Sequence, residues 1–121
     1  MEIGETLHAE TAAAWRAWLE EHAASARDIW LVMYKKDAGG RCIDYESAVE
    51  EAACFGWVDS MVRRMDDRRY ATRFTPRRKN SHWTPGNLAR ALRLISEGRM
   101  TPAGVAALPE AARPPTLRHG T

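Results

Sequence analysis

Two short stretches gather the residue types that can do chemistry. Cys54-Phe55-Gly56-Trp57-Val58-Asp59 places one carboxylate in an otherwise apolar run, just after a glycine and a tryptophan. A carboxylate in that setting must face solvent or answer a cation. Arg73-Phe74-Thr75-Pro76-Arg77-Arg78-Lys79-Asn80-Ser81-His82-Trp83-Thr84 holds four cations, several hydroxyl and amide donors and one indole. It runs into Thr84-Pro85, a cap followed by proline at the first helical position. Helix N-termini present free N–H groups and a positive dipole end, and arginine forks match phosphate or carboxylate two donors at a time. The second stretch therefore suits an anion. A plainer reading of the same residues has Arg77, Arg78 and Lys79 solvated, Arg73 paired with Asp59, and Trp83 stapling the helix. On that reading Trp57 is a core aromatic and Cys54 an inert buried thiol.

Lys35 and Lys36 close an apolar strand, and Tyr45 opens the next helix. If these ends converge on Asp59 and Arg73, one pocket collects Lys35, Tyr45, Trp57, Asp59, Arg73, Arg77, Ser81, Trp83 and Asn87. In such a pocket the lysine and arginines neutralise an anion, Ser81 and Asn87 donate hydrogen bonds, and the two indoles wall the site. The leading expectation is a protein that binds an anionic or polar small molecule. An enzyme using the same cleft is the second, with Asp59 as general base and Lys35 or Arg73 stabilising negative charge. Nucleic-acid binding through a basic hairpin, with Tyr70, Phe74 and Trp83 as stacking surfaces, is the third. The neighbouring Asp66 and Asp67, and an isoelectric point of only 8.7, weigh against that last reading.

No dinucleotide fingerprint, phosphate-binding loop, nucleophile elbow or zinc-protease helix occurs in the chain. The four histidines form no metal pattern, and two cysteines are too few for a disulfide framework. No cofactor and no metal are expected.

The elements that must position these residues can be read from periodicity. Trp15, Trp18, Leu19 and His22 recur at helical spacing within about 9–26. Residues 28–36 are β-branched and aromatic, a strand, and Asp37-Ala38-Gly39-Gly40 supplies a turn. A short extended piece over 41–43 leads to Asp44, a capping residue, and a helix over 45–55 that ends at Gly56. Residues 58–64 and 69–75 alternate around Asp66-Asp67 as a hairpin. A helix from Pro85 buries Leu88, Ala91, Leu92 and Ile95 and stops at Gly98; Thr101-Pro102 starts a last short one. The expected product is a single α+β domain over 1–112, a small antiparallel sheet with helices packed on one face, and a loose proline-rich tail over 113–121.

At 121 residues the chain is sized for one domain, and its 45% hydrophobic and 28% charged content excludes wholesale disorder. No apolar run approaches the length of a membrane span, and the acidic start is no secretory signal, so a reducing cytoplasm is expected. Residues 1–60 carry 5 Lys/Arg and 12 Asp/Glu, whereas 61–121 carry 13 and 4. The basic half can attract an anion, or it can pair with the acidic half of its own domain.

Several spaced motifs carry a resemblance. They are Trp18-Leu19, Tyr34-Lys35-Lys36, Tyr45, the run Glu51 to Asp59, Arg73 to Arg77, Ser81-His82-Trp83 with Asn87, and Gly98 to Gly104. In this order, over about residues 12–105, the chain resembles the YdeI/OmpD-associated proteins, also called bacteriocin-protection proteins. Ala53, Val58 and Thr84 stand where that family usually has leucine, isoleucine and serine. Longer members continue into a helical module beyond the position of Gly104. The resemblance implies a small bacterial cytoplasmic protein with a stress or antimicrobial-resistance role, its polar motif residues sharing a pocket.

Overall fold

A computed structural model describes residues 2–36, 38–78 and 81–113. Its elements run β1 (Thr6–Leu7), α1 (Ala12–His22), β2 (Ile29–Tyr34), α2 (Tyr45–Cys54), β3 (Trp57–Arg64), β4 (Arg69–Pro76), α3 (Pro85–Ser96) and α4 (Pro102–Ala106), with a 3-10 turn over Glu110–Ala112. Each helix is started by a side chain accepting a first-turn N–H: Thr11 from Ala14, Asp44 from Ser47, Thr84 from Asn87 and Thr101 from Gly104. Those bonds satisfy donors that a helix start otherwise leaves open. Gly56 and Gly98 take the left-handed conformation that ends α2 and α3, at φ 78° and 73°.

The four strands lie in the order β1-β2-β4-β3. β2 and β3 both pair antiparallel with β4, but β1 runs parallel to β2. The fold is α+β, and the sheet is mixed rather than wholly antiparallel. The extended piece expected over 41–43 forms no strand; Ile43 instead donates its N–H to the Ala9 carbonyl. The fourth strand is the two-residue Thr6–Leu7, too short to show any alternation in sequence.

One sheet face carries Ile29, Leu31, Met33 and Phe74, buried together with Trp15, Leu19, Ala48, Ala52 and Trp57. Trp15 stacks on Trp18 and tilts against Phe74, and its Nε1 donates to the Ala48 carbonyl at 3.0 Å. α3 buries Ala91 and Leu94, while Leu92, expected inside, is 44% exposed. α3 packs on α2, with Ala91 buried as expected and Leu88 and Ile95 half-buried, so Leu94 takes the inside place expected for Leu92.

Much of the charge asymmetry is consumed inside the domain. Arg73 pairs with Asp28, Arg90 with Glu46, Arg93 with Glu50, and Arg99 with both Glu50 and Glu51. Burial disfavours the charged Arg99, yet its bonds to Glu97, Glu50 and Glu51 more than offset this and raise its pKa. The expected tail lies outside the described residues apart from Arg113, which donates Nε and Nη2 to the Leu108 and Ala106 carbonyls. Asp37 of the first turn, and Lys79 and Asn80 of the basic loop, also lie outside them. Among the described residues no helix is long and apolar enough to cross a membrane.

Candidate functional site

The site lies where α2 ends, β3 starts, β4 ends and α3 begins. Gly56 turns the chain tightly enough for its carbonyl to accept the Arg77 N–H at 2.8 Å, which ties the end of β4 to the start of β3. Trp57, only 2% exposed, meets Trp18 edge to face at 5.8 Å. It is a core residue that also lines the site from below. Asp59, partly buried, accepts the Tyr45 hydroxyl at 2.5 Å. The Arg77 guanidinium stacks on Trp83 at 3.7 Å. Its Nη1 donates to both Ser81 Oγ and the His82 carbonyl, each at 3.1 Å. Burial lowers the Arg77 pKa, and the negative charge of Asp59 offsets only part of that.

Arg77 and Trp83 border two concavities. On one side a niche of about 20 Å³, room for a water, is lined by Asp59, Asn87 and Arg90. There Asn87 Oδ1 accepts from Arg90 at 3.1 Å. On the other side an open cleft of about 580 Å³ is lined by Arg78, Ser81, Glu110 and Arg113 together with an apolar wall of Ala103, Ala106, Ala107, Leu108 and Pro109. That volume is within the usual range for small-molecule sites.

Tyr45, Trp57, Asp59, Arg77, Ser81, Trp83 and Asn87 are thus brought together. Lys35 and Arg73 are not. Antiparallel pairing of β2 with β4 carries the end of β2 to the hairpin turn, where the Lys35 N–H bonds the Arg68 carbonyl. Asp59 opposes Phe74, which pairs with Ile29 at the other end of β2, about 17 Å from the Tyr34 row at strand rise. Arg73 pairs not with Asp59 but with Asp28, at 3.0 Å. A bulge between Asp59 and Met61 sets Met61, not Asp59, opposite Arg73. Lys35 and Arg73 therefore cannot help Asp59 stabilise charge in this cleft. The hairpin arginines are also partly spoken for, since Arg64 and Arg69 pair with Asp67 and Asp66. Phe74, proposed as a stacking surface for bases, is wholly buried in the core.

The apolar wall, Glu110 and Arg90 carry no catalytic or ligand-binding pattern in the sequence. The one available signal is a pair of glycines, Gly56 and Gly104, where α4 closes on the end of α2. A Cβ on Gly56 would meet the Ala103 carbonyl oxygen at 2.9 Å, and one on Gly104 would meet the Cys54 carbonyl.

The Tyr45–Asp59 bond has a measurable consequence. Asp59 accepts a hydrogen bond from the Tyr45 hydroxyl and, helped by burial, pushes the Tyr45 pKa up from 10.0 to about 12. Because the folded value lies above the unfolded one, the bond stabilises the fold fully below about pH 10 and is lost as pH rises towards 12. The tyrosinate absorbance of wild type minus Tyr45→Phe should therefore rise near pH 12, and Asp59→Asn should bring that rise down towards 10. The same Asn variant should cost only about 1 kcal/mol in urea, as one exchanged hydrogen bond. A loss of 3 kcal/mol or more would make Asp59 a buried structural charge.

A small α+β domain with a cation-lined cleft beyond the end of its sheet is the class that fold and site define. The chain belongs to the family described as a domain of unknown function, DUF8412, whose model matches residues 7–107. No curated protein and no solved structure matches it.

Proposed function

We propose that the protein binds an anionic or polar small molecule in the cleft beside Arg77, within a bacterial cytoplasm. The observation that carries this reading is the state of the Arg77 guanidinium. It is half-buried, held from one side by Ser81 and His82 and flat on Trp83, with no ion-pair partner among the described residues. The other arginines around α2 and α3, Arg16, Arg90, Arg93 and Arg99, all have carboxylate partners. Asp59 acts on Arg77 only from beyond ion-pair distance. Holding a guanidinium in a partly desolvated position without a contacting counter-charge is costly, and a bound anion would offset that cost. The motifs shared with the YdeI/OmpD-associated proteins include Trp57, Asp59, Arg77, Ser81, Trp83 and Asn87. They extend the proposal to a stress or antimicrobial-resistance role.

A thermal-shift screen of phosphates, nucleotides and carboxylates tests the binding. Ligand at a hundred times its dissociation constant adds about 2.7 kcal/mol of stability. For a domain of this size that is a rise in Tm of about 10 °C or more. The rise should vanish in Arg77→Met and survive in Arg73→Met. If no compound in the screen raises the Tm, the reading fails.

A further inference from the structure

We infer that the cleft takes an organic monocarboxylate, its acid group on the outer edge of Arg77 and its apolar body against the α4 wall. This rests on the reading of the cleft as an anion site and goes further, to the class of ligand. A guanidinium has five N–H donors in a fixed plane. Both Nη1 donors of Arg77 are spent, one on Ser81 Oγ and one on the His82 carbonyl. Nε and one edge of Nη2 point the same way on any arginine, and here neither has an acceptor among the described residues. That remaining edge is a planar two-donor fork matched to the two oxygens of one carboxylate. Trp83 stacked against the guanidinium limits how far the fork can turn.

The rest of the lining separates a carboxylate from a phosphate. A phosphoryl group has three outward oxygens and needs donors on several sides, commonly a glycine-rich loop or a cluster of cations. Besides Arg77 the lining offers Arg78, which is exposed and can add one solvated charge, while Ala103, Ala106, Ala107, Leu108 and Pro109 give the cleft an apolar surface. Arg113, also in the lining, already donates to two backbone carbonyls. Glu110 puts a carboxylate at the same cleft, which penalises each further negative charge on the ligand. One charge, a planar acid group and a flat apolar body fit this lining.

Calorimetric titration of the full chain with acetate, benzoate, 2-naphthoate, 2-naphthylmethanol and inorganic phosphate tests the inference. Affinity should climb at least tenfold from acetate to 2-naphthoate. The neutral alcohol should bind at least tenfold more weakly than the naphthoate, and phosphate should be weaker still. Arg77→Lys keeps the charge but not the fork, and should lose most of the naphthoate affinity while still folding. Ala106→Trp, at an exposed position on the apolar wall, should block the naphthoate without touching Arg77. Tighter binding of phosphate than of 2-naphthoate would overturn the carboxylate assignment and leave the anion cleft standing. Equal binding of the alcohol and the acid would overturn both.

Discussion

Gly104→Ala should cost about 3 kcal/mol, near the upper end for forcing a methyl group into a packed site. The new Cβ would lie 2.8 Å from the Cys54 carbonyl carbon, closer still to its oxygen, and against Met100 Sδ. The methionine can swing aside. The Cys54 carbonyl cannot, because it accepts both the Thr101 N–H and the Thr101 hydroxyl, at 3.0 and 2.5 Å. α4 must therefore lift away from the end of α2. Gly98→Ala is the natural comparison: its φ is +73° but a Cβ there meets nothing within 4 Å. It should cost only the left-handed penalty, about 1–2 kcal/mol. Urea unfolding of both variants checks the order. Since α4 supplies the apolar wall of the cleft, Gly104→Ala should also weaken any ligand more than Gly98→Ala does. A Gly104 variant as stable as wild type would mean α4 is not docked as described.

The second large effect belongs to Glu51. Its side chain is 10% exposed and lies between Arg16 and Arg99, at 3.0 and 2.9 Å. Glu51→Gln keeps the shape but leaves two guanidiniums facing a neutral amide. Removing one member of a buried pair typically costs 3–5 kcal/mol. Both arginines here are about one-third exposed, which lets solvent take up part of that cost, so about 2 kcal/mol is expected. Glu20, 62% exposed and also paired with Arg16, should change stability by no more than about 0.5 kcal/mol on the same substitution. Chemical denaturation separates the two. Equal effects would show that the Arg16–Glu51–Arg99 cluster behaves as ordinary surface charge.

Where local chemistry decides, the sequence was legible. Asp44, Thr84 and Thr101 each cap the helix they were expected to cap, because a short oxygen-bearing side chain before a helical run has one favourable use there. Gly56 and Gly98 end helices for an equally local reason. What could not be read is what depends on which strands pair and at what register. Arg73 and Asp59 sit on the two arms of one hairpin, and alternation alone makes them plausible partners. The bulge after Asp59 changes which residue faces which, and Asp28, just before β2, takes Arg73. Lys35 lies at the hairpin end of the sheet, away from Asp59, and nothing in the chain's periodicity says at which end of a sheet a strand finishes. The parallel β1 and the wall built by α4 arise from contacts distant in sequence and leave no local mark.

The account turns on Arg77 as a receptor for an anion, and the Arg77 Nε–H resonance reports on it directly. In a proton–nitrogen spectrum of the arginine side chains, assigned with the Arg77→Lys variant, a stabilising anion should shift that one resonance downfield. The shift should saturate at the same concentration that raises the Tm, while the Arg73 resonance, committed to Asp28, stays still. An anion that stabilises the fold while leaving the Arg77 Nε–H unmoved would contradict the account.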